Sequence, residues 1–203
     1  MKVELLALTP NAEQLIERAA RTCYQSATGE CQEGAARLLP KLIASGHESP
    51  FEHASATFRL SGVSRALTHQ LVRHRLMSVS QKSQRYVTEA NFDYVMPPSV
   101  PSEFVDDFRS DMETIRLLYA KWKARGLKNE DARFVLPNAC TTELVVSANF
   151  REYRHIFKIR MHASAQWEIR SVCYEMLAIL YAQAPLAFGD LWNIRQGQKP
   201  DAL

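Results

Sequence analysis

Three patterns that often reveal a function are missing from this sequence. No apolar run reaches the roughly 18 residues that a membrane-spanning helix needs, so we predict no membrane association. No GxGxxG or GxxxxGK[ST] loop occurs, so a bound dinucleotide or phosphate would have to be held by side chains. No GxSxG elbow is present either, which leaves catalysis by a nucleophilic serine without support.

Cysteines are few and scattered. Cys23, Cys31, Cys140 and Cys173 form no CxxC pair, a pattern typical of reduced thiols in a cytoplasmic protein. None of them has neighbours basic enough in sequence to predict an activated thiolate. The N-terminal segment carries an acidic residue too early for a signal peptide, and we predict that it forms the first strand.

The size and charge of the chain limit its class. A length of 203 residues predicts a single domain over residues 1–203. The net charge of +3 is too small to predict general binding to nucleic acids. The basic residues are therefore informative only where they cluster.

The order of predicted elements favours the α+β class, because strands and helices do not alternate regularly. Strands are predicted at 3–8, 54–60, 92–96 and 141–148. Helices are predicted at 10–24, 35–44, 64–75, 103–125, 130–135, 150–159 and 166–184. Residues 25–33 are predicted to form a polar loop, and residues 78–86 a loop or an irregular strand.

Residues 73–86 form the most informative segment of the chain. Arg73, Arg75, Lys82 and Arg85 stand there among hydroxyl and amide side chains, with little apolar surface to bury. Arginine forks match phosphate and carboxylate oxygens, and hydroxyls and amides complete such a cradle. Cations that only offset a helix dipole would explain one arginine, not the whole group. We therefore predict a site for an anionic ligand rich in hydrogen-bonding groups.

Two further segments carry candidate residues. Two histidines and two glutamates lie within 47–53, but their spacing is not HExxH, and Pro50 prevents a single helical face. We therefore predict no metal site there and assign His47 and Ser49 to hydrogen bonding with a ligand. In 150–159, Arg151 and His155 share a helical face, which alone is typical of a solvated basic surface.

Four blocks of the sequence resemble the flavin-dependent thymidylate synthases, the ThyX family. Arg73-His74-Arg75 followed by Ser83 fits the family's RHR-x7-S signature. Residues 46–53 resemble its GHE(S/T)PFEH block, residues 133–137 its AR-x-VLP block, and residues 160–168 its R-x5-QWE block. The blocks occur in the family's order and cover about residues 40–170.

The resemblance implies a fold and a reaction. The implied fold is α+β, with helices packed on a central, mostly antiparallel sheet, in a homotetramer whose active sites are shared between subunits. The implied reaction is reductive methylation of dUMP to dTMP. FAD would be the cofactor, 5,10-methylenetetrahydrofolate the carbon donor and NADPH the hydride source.

The resemblance also implies a role for individual residues. Cofactor contacts are implied for His47, Ser49, Arg73, His74, Arg75, Gln81, Asn149, Arg151 and His155. Substrate contacts are implied for Gln70, Arg73, Gln81, Lys82, Ser83, Gln84, Arg85, Arg133 and Arg160. Arg160 is the implied catalytic residue, placed against the pyrimidine edge. An arginine stays charged and is a poor general base, but it can stabilise negative charge that develops on the ring.

Two other functions account for parts of the sequence. A basic nucleic-acid-binding module would explain residues 73–85 and the pI of 8.7, but not the blocks at 47–53 and 166–168. A flavoprotein with a different substrate would share the cofactor residues. The first alternative predicts affinity that falls steeply with salt, and the second predicts flavin colour without activity on dUMP.

Overall fold

A four-stranded sheet lies at the centre of the computed structural model, which describes residues 1–23, 25 and 32–197. Its strands are β1 (Lys2–Leu8), β2 (Ser55–Ser64), β3 (Met77–Gln81) and β4 (Thr141–Asn149). The order is β1-β2-β4-β3, and every neighbouring pair is antiparallel. The predicted α+β class with a mostly antiparallel sheet is confirmed.

Eight α-helices accompany the sheet in the described part of the chain. They are α1 (Ala12–Thr22), α2 (Gln32–Ala44), α3 (Arg65–Leu71), α4 (Val105–Ala124), α5 (Asn129–Ala132), α6 (Phe150–Arg160), α7 (Trp167–Gln183) and α8 (Pro185–Gly197). Short 3₁₀ turns cover Ser49–His53, Ser102–Phe104 and Arg133–Val135. Within the residues described, no helix combines the length and apolar character needed to cross a membrane.

One face of the sheet forms the main core. Phe58 and Leu60 of β2 and Val146 of β4 are fully buried, as alternating side chains on one face of a strand pair. Tyr153 of α6 packs on this face, with its ring centroid 5.6 Å from that of Phe58. Its hydroxyl donates to the carbonyl oxygen of Ala56 at 3.2 Å. These contacts fix α6, which carries Arg160 at its end, against the middle of the sheet.

The opposite face of the sheet is polar. Thr57 and Ser147 share a hydrogen bond of 2.8 Å across β2 and β4. Two residues further along β2, Arg59 donates to both carboxylate oxygens of Glu143, its diagonal neighbour on β4, at 2.9 Å. Such cross-strand pairs stabilise a sheet without apolar burial.

The start of α1 differs from the prediction. The sequence suggested a helix from Pro10 with Thr9 as its cap, whereas the helix begins at Ala12 after Asn11, which has a positive φ of 48°. The Thr9 hydroxyl instead accepts from the backbone N–H of Ser55 at 2.9 Å. The supposed cap therefore joins the end of β1 to the start of β2.

Three other segments were predicted differently. Residues 77–81 form a regular edge strand, whereas the sequence predicted a loop or an irregular strand from residue 78, because the flanking basic and amide residues obscured the short alternation of Met77 and Val79 with Ser78 and Ser80. Residues 92–96 contribute only an isolated bridge between Tyr94 and Cys140 and form no strand. Helix α8 was not predicted, and it begins at Pro185, a residue that suits a first helical turn. The loop predicted at 25–33 lies mostly outside the described residues.

Candidate active site

The turn after α3 separates the side chains of the RHR segment. The Ser64 hydroxyl caps α3 by accepting from the N–H of Leu67 at 3.0 Å, and the helix ends at Leu71, earlier than predicted. Residues 72–75 therefore lie in a turn. There Arg73 and Arg75 are exposed, while His74 is only 7% exposed.

His74 and Gln70 hold the guanidinium of Arg160. The Arg160 Nε donates to His74 Nε2 at 3.0 Å, and Nη2 donates to the Gln70 carbonyl oxygen at 3.1 Å. That carbonyl is at the C-terminal end of α3, where the helix dipole favours a cation. The remaining N–H groups of Arg160 have no partner among the described residues and can bind a ligand.

The charge state of His74 follows from this geometry. Arginine has no acceptor, so His74 Nε2 must present a lone pair and the imidazole must be neutral. Burial, with the nearby charges of Arg160 and His155, lowers the pKa of His74 to about 4. The rings of His74 and His155 are 6.1 Å apart, and the Glu152 carboxylate lies 3.8 Å from His74 Nδ1.

A second group of residues lines an open pocket of about 300 Å³ on the other side of α3. Arg65, His69, Gln84, Arg133 and Asn138 supply its polar atoms. The Nε of Arg65 is buried without a partner in the described chain, while its Nη2 donates to the Lys82 carbonyl oxygen at 3.0 Å. Two arginines with histidine and amide side chains beside them form a lining that suits a phosphate group.

Arg85 and Arg133 converge on one glutamate beside this pocket. The Arg85 Nε lies 3.1 Å from Glu130 Oε2, and the Arg133 Nε donates to the Glu130 carbonyl oxygen at 3.2 Å. The Ser83 hydroxyl accepts from the Arg85 N–H at 3.2 Å. The structure thus brings Ser83, Gln84, Arg85 and Arg133 to one region.

Gln81 and Lys82 are engaged within the chain. The Gln81 Nε2 donates to the hydroxyls of Thr68 at 3.1 Å and Thr142 at 3.3 Å. The Lys82 ammonium pairs with Glu89 at 2.8 Å, and Glu89 is only 4% exposed. The two side chains therefore join the end of β3 to Thr68, Thr142 and Glu89.

The 47–53 segment has exposed side chains at His47 and Ser49 and ion-paired glutamates at 48 and 52. His47 and Ser49 are exposed, and their side chains make no hydrogen bond with the described residues. Glu48 binds Lys158 at 2.7 Å and Arg154 at 3.4 Å. The structure's described residues contain no group of three or more metal-ligating side chains.

Two predicted cofactor residues at the start of the 149–160 segment make contacts within the chain. The Asn149 Oδ1 caps α6 by accepting from the Glu152 N–H at 2.9 Å. Arg151 forms an ion pair with Glu52, which ties the start of α6 to the 3₁₀ turn at Ser49–His53. His155 is exposed on the next turn of the helix.

Sequence reasoning missed several residues of these two groups. Arg65 and His69 stand in an ordinary helical pattern, and only their position beside Arg133 in space marks them. Glu152 looked like one more acidic residue of a helix, but it is only 6% exposed and faces His74. The clue available in the sequence was Glu152 itself, an acid among basic residues on a helix predicted to carry a basic face.

Comparisons with known proteins agree on one family. Residues 4–186 match the family model described as thymidylate synthase complementing protein. A flavin-dependent thymidylate synthase of Nitratidesulfovibrio vulgaris is 43% identical over 211 residues, covering 90% of this chain and 86% of the relative. One of Geobacter sulfurreducens is 44% identical over 200 residues, with 94% and 86% coverage.

The fold also resembles a solved structure of this kind. The crystal structure of Thymidylate Synthase X (ThyX) from Helicobacter pylori with FAD and dUMP matches with a TM-score of 0.80. It covers 94% of this chain and 99% of that chain at 22% sequence identity. This confirms the resemblance seen in the four sequence blocks, and the chain belongs to the flavin-dependent thymidylate synthase family.

Proposed function

We propose that this chain, as a single catalytic domain over residues 1–203, converts dUMP to dTMP by reductive methylation. The carbon comes from 5,10-methylenetetrahydrofolate, and NADPH provides the hydride through FAD. The observation that carries the proposal is the meeting of α3 and α6, where Arg160 is held by His74 and Gln70 with donors left free. The family match supports the same reaction.

The chain has side chains suited to holding FAD. Arg73, Arg75, His47 and Ser49 are exposed and unpaired within the part of the chain that is described, and such donors fit a diphosphate. Asn149 at the start of α6 and His155 in the middle of that helix extend the set. When bound, FAD supplies hydride transfer, a chemistry that protein side chains lack. The contribution of these residues is to bind and orient it.

The nucleotide binds beside Arg133. Arg65, Arg133 and Gln84 line the pocket there and carry hydrogen-bond donors. Ser83 and Arg85 lie at its edge and complete an anchor for the phosphate. His69, which lines this pocket, and Gln70, whose carbonyl oxygen binds Arg160, are adjacent in α3. One short helix therefore contributes to both the phosphate pocket and the placement of Arg160. Anchoring the phosphate positions the pyrimidine ring for reaction.

Arg160 stabilises the negative charge that develops on the pyrimidine when its C5 becomes nucleophilic. Two of its donors are fixed by His74 and Gln70, so the free ones are held in place before the reaction begins. Such preorganised donors are worth roughly 3–4 kcal/mol each. Arg160 cannot act as a base, because its guanidinium remains protonated.

The enzyme works as a homotetramer in the cytoplasm, with sites completed by neighbouring subunits. Large apolar side chains beside the candidate residues support this arrangement: Leu76 is 76% exposed, Tyr86 80% and Phe134 84%. Exposed apolar groups of this kind mark interaction surfaces. Light scattering should give four times the chain mass of 23.1 kDa.

The purified protein gives the direct test of this function. We expect a yellow protein with flavin absorbance that oxidises NADPH only when dUMP and methylenetetrahydrofolate are both present, with dTMP as the product. Flavin absorbance without dTMP formation would point to a flavoprotein with another substrate. A colourless protein that binds nucleic acid with steep salt dependence would contradict the proposal.

Replacing Cys140 by serine should leave dTMP formation within about twofold of the wild-type rate. Cys140 is fully buried, and burial raises its pKa to about 12, so it is a thiol rather than a nucleophilic thiolate at neutral pH. The rate should be measured per folded, flavin-loaded protein, because a buried hydroxyl can lower stability. Complete loss of activity in that population would indicate a covalent cysteine mechanism instead.

A further inference from the structure

Glu152 lies where it can control the imidazole that holds Arg160. The Glu152 Oε1 is 3.8 Å from Nδ1 of His74, and the two side chains are 6% and 7% exposed. The Glu152 carboxylate makes no hydrogen bond to the described residues, and the ion-pair contact recorded for it is with this edge of the imidazole. The backbone of Glu152 is fixed separately by the Asn149 cap at 2.9 Å.

The tautomer of His74 decides whether Arg160 is held. The Arg160 Nε can donate to His74 Nε2 at 3.0 Å only if the single imidazole proton sits on Nδ1. A proton on Nε2 would face the N–H of Arg160, and the contact would become repulsive. In a neutral imidazole, the group that contacts one nitrogen influences whether the proton lies on that nitrogen or on the other.

We infer that Glu152 is a positioning residue, which keeps the His74 proton on Nδ1 so that Nε2 can fix the Arg160 guanidinium. The inference rests on the proposed function for its kinetic consequence, but the tautomer itself can be measured without any reaction. A buried negative charge facing Nδ1 favours a proton there by direct Coulomb attraction. The distance of 3.8 Å exceeds a hydrogen bond, so the effect is electrostatic.

The surroundings of the pair are consistent with this role. Burial raises the pKa of Glu152, while His155 opposes that shift, and the pKa of His74 stays near 4 because of burial and nearby positive charge. His74 is therefore neutral at pH 7, and only the position of its one proton is left to be decided. The charged groups next to the imidazole are Arg160 on one side and Glu152 on the other, with His155 nearby.

The test measures the kinetics of dTMP formation and, separately, which imidazole nitrogen of His74 carries the proton. Glu152→Gln removes the charge but keeps the size, and Glu152→Leu also removes the acceptor. We expect kcat for dTMP formation to fall about 10-fold in Glu152→Gln and further in Glu152→Leu, because misorientation of a reacting group costs rate. FAD content and KM for dUMP should stay within twofold. Glu175→Gln removes a charge from an exposed position of α7 and should match wild type.

Solid-state ¹⁵N NMR of histidine-labelled protein reports the tautomer, and a His74→Gln sample identifies the resonance. In wild type the protonated nitrogen should be Nδ1, and in Glu152→Gln a fraction should move to Nε2. A proton on Nε2 in wild type, or unchanged kcat and tautomer in both variants, would overturn the inference. If wild type shows the expected tautomer but makes no dTMP, the proposed function fails while the pairing of Glu152 and His74 stands.

Discussion

Arg160→Ala is expected to lower the rate of dTMP formation about 10²–10³-fold, the usual effect of removing a preorganised donor to a developing negative charge. FAD should remain bound, because the unpaired donors assigned to it, such as Arg73 and His47, are on other segments. Single-turnover measurement with reduced enzyme separates the chemical step from substrate binding. The loss should appear in that step and not in the FAD content of the purified protein.

A surface arginine serves as the matched control. Arg109 is 62% exposed on α4, where it pairs with Asp106, so Arg109→Ala removes the same side chain away from the candidate site. Its rate should equal that of wild type. Normal turnover by Arg160→Ala would remove Arg160 from the catalytic role, and the residues that hold it would then need another explanation.

Asp190→Ala is expected to lower the free energy of unfolding by about 3 kcal/mol, because it leaves the buried charge of Arg154 without its partner. The Arg154 side chain is 0% exposed, and its two terminal nitrogens each meet an Asp190 oxygen at 2.8 Å. Without Asp190 the buried guanidinium keeps, among the described residues, Glu48 at 3.4 Å, the Ala187 carbonyl and the face of the Phe51 ring. Chemical denaturation of the purified variant measures the change.

Two comparisons test whether the buried charge causes this loss. Asp106→Ala removes an equally short but exposed pair and should cost less than about 0.5 kcal/mol. Combining Asp190→Ala with Arg154→Met removes the charge itself and should restore part of the loss. If the double variant is less stable than Asp190→Ala, packing rather than charge dominates at this position.

The contribution of Asp190 should also depend on pH. Burial alone would raise the pKa of its carboxyl, but the hydrogen bonds and charge of Arg154 outweigh burial and hold the pKa below its ordinary value of 3.8. A group with a depressed folded pKa stabilises the protein above its unfolded pKa and loses this effect as the pH falls through the folded value. The difference between wild type and Asp190→Ala should therefore be constant above about pH 5 and shrink below about pH 4.

Much of the fold could be predicted from local patterns. The regular alternation in 141–148 and the apolar stripes of the helices at 105–124 and 150–160 gave the correct element types. The prediction was wrong where a residue's partner is distant in sequence. Thr9 resembles a helix cap but binds Ser55, and β3, predicted as a loop or an irregular strand, pairs with β4 along its whole length.

The candidate site was predictable in its residue types but not in its grouping. The sequence identified Arg73, Arg133 and Arg160 through blocks that resemble one family. It could not indicate that Arg160 is held by His74, because those residues are 86 positions apart and meet only when α3 and α6 pack together. Buried residues such as Glu152 were missed for the same reason.

Arg154 connects two residues of the proposed cofactor site to the buried part of the fold. Arg154 joins α6, α8 and, through Glu48, the segment that carries His47 and Ser49. If FAD is held by those two side chains, as proposed, its binding requires the folded arrangement and favours it in return. At a free concentration 100 times its dissociation constant, such a ligand adds about 2.7 kcal/mol to the free energy of unfolding. The melting temperature should therefore rise as flavin is added, and less so when Glu48 is replaced.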